Sequence, residues 1–210
     1  MEISAADLGA TDTYHLMTSV IVPRPIAWVT TTSKDGVVNL APFSYFSGLG
    51  SSPPLLTLGI ANAKDNEKDT LRNIKETGVL CVNLVEEQHV EVMNASSFSY
   101  GRDESEVAAL DVDTVDCAAI DGVRVAGVRA ALECKLVDVH SYGAPYQTNL
   151  VVCEVVHMFL DDDACLAGRA ALDPAKLQPV ARLGGKNYAS LGELFQLARP
   201  STETPVPKRG

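Results

Sequence analysis

No uninterrupted apolar run in this 210-residue sequence approaches the roughly 20 residues that a membrane-spanning helix needs. The opening MEISAADLG is acidic and has no apolar centre, so no secretory signal is expected there. Basic residues are in short supply: 17 Lys and Arg face 27 Asp and Glu, a formal charge of −10. No cationic stripe is left for nucleic acid. The cysteines (Cys81, Cys117, Cys134, Cys153 and Cys165) are odd in number and never spaced C-x-x-C. Four lie in or beside apolar, strand-like segments, where a thiol behaves as a small hydrophobe, and the set suits a reducing cytoplasm. His15, His89, His140 and His157 lack metal-ligand spacing, and Asp161 to Asp163 lack the other ligand positions of a calcium loop. No metal site is expected. No G-x-S-x-G elbow and no strand-linked G-x-G-x-x-G is present, so neither a hydrolase nucleophile nor a Rossmann dinucleotide domain is expected.

What is present suits one globular unit. With 46% hydrophobic and 21% charged residues, the chain can bury a sizeable core. One domain over residues 1–200 is expected, with a flexible tail over 201–210. Asp12 to Val20 reads as a helical opening segment that stops before Pro23-Arg24-Pro25. Ile26 to Thr32 is rich in β-branched and aromatic residues and reads as a strand. Lys34-Asp35-Gly36 then supplies a hairpin turn, and Val37 to Leu40 returns antiparallel. Leu55 to Ile60 reads as a third strand opened by Pro53-Pro54. Asn66 is expected to cap a helix from Glu67 to Thr77, with Asp69 in a capping-box relation and Gly78 ending it.

Val79 to Val85 is apolar on both faces and reads as a doubly buried strand. Glu86 to Asn94 reads as a helix, whereas Ser96 to Asp121 shows no strong period. Val128, Ala130, Leu132, Cys134 and Leu136 alternate with Arg129, Glu133 and Lys135, the pattern of a strand with one wet face. Leu150 to Leu160 completes the strands. Many strands with few helices predict a barrel with helical decorations.

The stretch from Pro23 to Phe46, PRPIAWVTTTSKDGVVNLAPFSYF, holds the clearest candidate site. Asn39, Leu40, Ala41, Pro42, Phe43 and Ser44 line up backbone amides, an amide side chain and a hydroxyl along an edge that suits the rim of a flat heteroaromatic ligand. An ordinary hairpin running into a Pro-terminated loop fits the same residues. Lys68, Asp69 and Thr70 stand at a helix start, where free N–H groups and the helix dipole attract phosphate. A solvated surface helix fits them too. Asp69 would repel a phosphate unless it points away as a cap.

These pieces resemble the flavin reductase-like, FMN-binding split-barrel family. The likeness rests on Arg24 to Thr31, Asp35 to Phe46, Pro53 to Leu55, Lys68 to Ile74 and Thr77 to Leu84, in order, and on PVARLGGKNYASLGELFQLARP from Pro179 to Pro200. It spans residues 14 to 200 and is loose over 97–126. The resemblance implies a mainly β, antiparallel, Greek-key split barrel with a few peripheral helices. It implies non-covalent FMN at or near a homodimer interface, with NAD(P)H as transient co-substrate passing a hydride to flavin N5. A flavoredoxin-like carrier serving an electron-acceptor protein is the alternative it leaves open. It places Thr30, Thr31 and Thr32 against the flavin, although alternation lets at most two face one ligand. Arg182 and Tyr188 match its C-terminal RLGGxxY, which covers the cofactor or completes the dimer. A Gly-Gly turn explains the same motif.

Overall fold

Ala27 to Thr32 and Val38 to Phe43 fold back on each other because Gly36 adopts φ +83°, which only glycine takes without steric cost. Ser33 closes the turn: its N–H donates to the Val37 carbonyl at 2.9 Å. The computed structural model describes residues 1–62, 66–102, 104–143 and 147–200. The expected tail lies outside them.

The strands are β1 (Arg24–Pro25), β2 (Ala27–Thr32), β3 (Val38–Phe43), β4 (Phe46–Ser51), β5 (Pro54–Ala61), β6 (Val79–Leu84), β7 (Thr114–Asp116), β8 (Val123–Val125), β9 (Ala130–Tyr142), β10 (Thr148–Leu160), β11 (Ala181–Arg182) and β12 (Tyr188–Ala189). The helices are α1 (Ala10–Val20), α2 (Asp69–Thr77), α3 (Val90–Ala95), α4 (Glu106–Ala109) and α5 (Pro174–Leu177). Seven strands form one antiparallel sheet in the order β3-β2-β6-β9-β10-β5-β4. Its two edge strands, β3 and β4, are joined by Ser44-Tyr45 alone. A link that short brings the two edges together, so the sheet curls into a barrel and leaves little open edge.

Alternation divides the core in two. Ala27, Val29, Leu58, Ile60, Leu80, Val82 and Val151 fill the barrel, and Leu71 and Ile74 of α2 pack into the same cluster. Trp28, Leu40, Cys81 and Ala131 point to the other face, covered by Met93 of α3 and by Val125 and Val128. β6 is therefore buried on both faces, as its residues predict.

Several expectations are corrected. β4 is not expected from FSGLGS, which has little β-branched character; pairing with β5 makes it a strand. β3 runs on through Pro42 to Phe43, which the sequence suggested was loop, because an edge strand tolerates proline. α2 starts at Asp69, with Lys68 at the N-cap position and no side-chain cap, so Asn66 does not cap it. Gly78, at φ 75°, ends it as expected. Glu133 is not on a wet face: it is 1% exposed. The two faces of β6 are covered by this chain itself, so they do not require a second copy.

Candidate functional site

β3 and the start of α2 face each other because two amides stitch them to the sheet. Asn39 Nδ2 donates to Thr70 Oγ1 at 2.9 Å, and Asn73 Nδ2 donates to Thr31 Oγ1 at 3.1 Å. All four side chains are buried, so the helix start is held at the barrel rim by bonds that water does not contest. A cavity of about 580 Å³ opens there. Asn39, Ala41, Pro42 and Phe43 form one wall, Lys68, Asp69 and Thr70 another, and Ser96 to Tyr100 with Arg102 and Glu106 the third.

The electrostatics of this cavity follow from who is already paired. Three cations and three carboxylates line it. Arg72 is ion-paired with Asp69, and Lys75, outside the cavity, pairs with Glu67. Burial pushes the Glu106 carboxyl above its ordinary range, against the N–H that Leu40 donates to it at 2.9 Å. Among the described residues, Lys68 and Arg102 make no ion pair. The first-turn amides of α2 lack intrahelical partners and have no side-chain cap. The cavity thus joins the free first-turn amides of α2, Lys68 and Arg102 to an edge formed by Ala41, Pro42 and Phe43.

The third wall comes from the segment that had no readable period. Ser96 is tied down: Trp28 Nε1 donates to its hydroxyl at 2.9 Å, and that hydroxyl donates to the Met93 carbonyl. Ser97 donates to the Asn94 carbonyl. Ser105 caps α4, which places Glu106, and Ser105 Oγ also donates to the Val38 carbonyl at 2.6 Å. The signal that could have found this wall is SSFSYGR, small hydroxyl residues interleaved with aromatics and a cation.

Residues 17–170 match the family described as "Flavin reductase like domain". The chain belongs to the flavin reductase-like family. YwrF of Bacillus subtilis is 37% identical over 96% of this chain and 100% of its own. Nitrilotriacetate monooxygenase component B from Bacillus cereus superposes with a TM-score of 0.89 at 31% identity, covering 94% of this chain and 98% of that one. The 2-nitrobenzoate 2-nitroreductase NbaA of Pseudomonas fluorescens gives 0.89 at 30% identity over the whole of both chains. The architecture is the split barrel of this family.

In this flavin reductase-like chain the remaining candidates lie away from the cavity. Thr30 points to the other face, where its hydroxyl bonds the Val123 carbonyl at 2.5 Å and the Cys81 carbonyl at 3.3 Å. Thr31 is buried beneath α2, and Thr32 ends β2 outside the cavity lining. Ser44 lies in a second hollow of about 410 Å³, beside Arg24. Arg182 stacks on Tyr188, 4.4 Å from the ring centre, and the Tyr188 hydroxyl bonds Asn94 Oδ1 at 3.0 Å.

Arg24 of β1 is part of the framework. Its buried guanidinium donates to the carbonyls of Thr18 and Ile21, both at 2.7 Å, and of Leu183 at 3.0 Å. It ties α1 and the C-terminal segment to the barrel.

Proposed function

We propose that this protein binds FMN non-covalently in the cavity between β3 and α2 and works as an NAD(P)H-dependent flavin reductase. The observation that carries the reading is one cavity that joins an uncapped helix start and two cations without ionic partners among the described residues to an apolar strand edge. Lys68, Arg102 and the first-turn amides of α2 suit a phosphate dianion. Asn39, Ala41, Pro42 and Phe43 suit the ring, since Ala41 lets the backbone approach closely and Asn39 offers an amide. A volume of about 580 Å³ falls among ordinary cofactor and ligand pockets.

FMN, when bound, supplies a two-electron centre that accepts hydride from a nicotinamide. The chain's residues bind and orient. Asp69 is turned to Arg72 and so is screened from a phosphate. Thr31 and Thr70 act indirectly, by fixing α2. Thr30, Thr32, Ser44, Arg182 and Tyr188 serve in the framework around the cavity. Two relatives named as a nitroreductase and a monooxygenase component support redox work by this fold.

The name of the second, a component B, favours an alternative in which the flavin serves a partner protein. A homodimer is part of the proposal. Tyr14, Met17, Val20 and Ile21 stand exposed at helical spacing along α1 and its end, and Leu191, Leu194, Phe195 and Leu197 are exposed beyond β12. Such surface is what a second copy would cover. The five free thiols suit the cytoplasm as the compartment.

Acid release of flavin from the purified protein, followed by chromatography, tests the cofactor. Mainly FMN is expected; mainly FAD, or no flavin, overturns it. Steady-state NAD(P)H oxidation with added free FMN separates the readings. Turnover supports the reductase, and a yellow protein without turnover supports the carrier.

A further inference from the structure

Away from the cavity, three side chains on adjacent strands clamp the β7–β8 hairpin over Cys81. Thr30 of β2 and Glu133 of β9 are the register partners of Cys81, one on each side. Thr30 bonds the Val123 carbonyl. Glu133 accepts N–H bonds from Ala118 at 2.9 Å and Ala119 at 2.6 Å, the two residues that follow Cys117. Asn83, two residues beyond Cys81, accepts the Val125 N–H at 2.8 Å. The clamp sets Cys117 against the buried cluster that holds Cys81.

We propose that Cys81 and Cys117 form an oxidation site: hydrogen peroxide converts the pair to a disulfide that staples the β7–β8 hairpin to β6. The two thiols differ in a way that suits the order of events. Cys81 is buried and Cys117 half-buried, so peroxide reaches Cys117 first. The neighbouring Cys81 thiol holds the Cys117 thiol below its ordinary value, with help from Arg124, while burial, Glu133 and Asp116 oppose. Cys117 and burial together raise the Cys81 thiol and keep it protonated.

The Cys117 thiolate attacks one peroxide oxygen, the O–O bond breaks, and hydroxide leaves and takes up a proton to become water. The Cys81 sulfur then attacks the resulting sulfenic sulfur, the S–O bond breaks, and the second water leaves with the Cys81 proton. Two thiols and one peroxide give one disulfide and two waters. Cys134 and Cys153 lack this arrangement. Burial raises both, Cys153 to about 12, and they serve as internal comparisons. The site does not depend on the flavin reading, because peroxide is added directly.

The test treats the folded full chain with hydrogen peroxide, blocks remaining thiols in denaturant, and maps tryptic peptides without reduction. Cys81 lies in peptide 76–102 and Cys117 in 103–124. The expected result is a linked 76–102/103–124 species, short by two hydrogens. It should form before Cys134 or Cys153 reacts and revert with dithiothreitol. Cys117→Ser, at a half-buried position, should fold and lose the link. Sulfinic acid at Cys117 with Cys81 still free to be blocked overturns the proposal. So does linkage through any other thiol, or a link only between copies.

Discussion

Lys68 stands at the N-cap position of α2 with its ammonium at the cavity, and its contribution is separable from the fold. Lys68→Ala should weaken FMN binding by about 1–3 kcal/mol, the scale of a charge-assisted hydrogen bond. Riboflavin, which lacks the phosphate, should bind weakly and respond little; titration by fluorescence quenching compares the two. Equal losses for both would mean that Lys68 shapes the loop and does not meet the phosphate. Glu133 sets a different test. Burial opposes its charge, but the Ala118 and Ala119 N–H groups and His157 at 3.0 Å outweigh it, so its carboxyl titrates below the ordinary value. Stability from this group is therefore full above the unfolded value, about 4.3, and is lost as pH falls through the lower folded value. Glu133→Gln should cost about 2–4 kcal/mol at neutral pH. Urea unfolding should show that it also flattens the loss of stability at acid pH. An unchanged acid limb would place the titration elsewhere.

At the scale of elements, closure of the barrel depends on a near-contact. The Gly59 N–H of β5 donates to the Tyr45 carbonyl at 2.7 Å, across the two-residue link between β3 and β4. A Cβ on Gly59 would stand 2.8 Å from Tyr45 Cβ, an atom rooted in the backbone. Gly59→Ala should therefore destabilise by about 1–3 kcal/mol through overpacking, read as a lower urea midpoint at unchanged slope. Gly48→Ala, which meets nothing within 4 Å, is the control and should change little by comparison. β2, β3, β6 and α2 were legible because turn chemistry, a doubly apolar run and a left-handed glycine each act locally. β4 and the segment over 96–121 were not, since their structure comes from partners distant in sequence. Ser105, for example, bonds the Val38 carbonyl.

At the scale of the molecule, the apolar residues of α1 and of the stretch beyond β12 remain without cover. A chain ending at Ala189 should keep its barrel but lose dimer affinity by at least tenfold, about 1.4 kcal/mol. Light scattering over a dilution series measures it. A full-length chain that is monomeric with full FMN occupancy would refute the dimer and the expectation that FMN needs its interface.

The sequence alone determined the hairpin, the doubly buried strand and the helix with its glycine stop, because each is encoded by spacing and turn chemistry within a few residues. Only the tertiary structure decided which polar groups share a space. It buried Thr30 and Thr31 of β2, moved Ser44, Arg182 and Tyr188 away from the cavity, and drew Ser99, Arg102 and Glu106 into it. It also turned Glu133 from a solvent-facing residue into part of the clamp that holds the β7–β8 hairpin over Cys81. The physical reason is that alternation states which face a side chain takes, whereas the cover of that face comes from residues far along the chain.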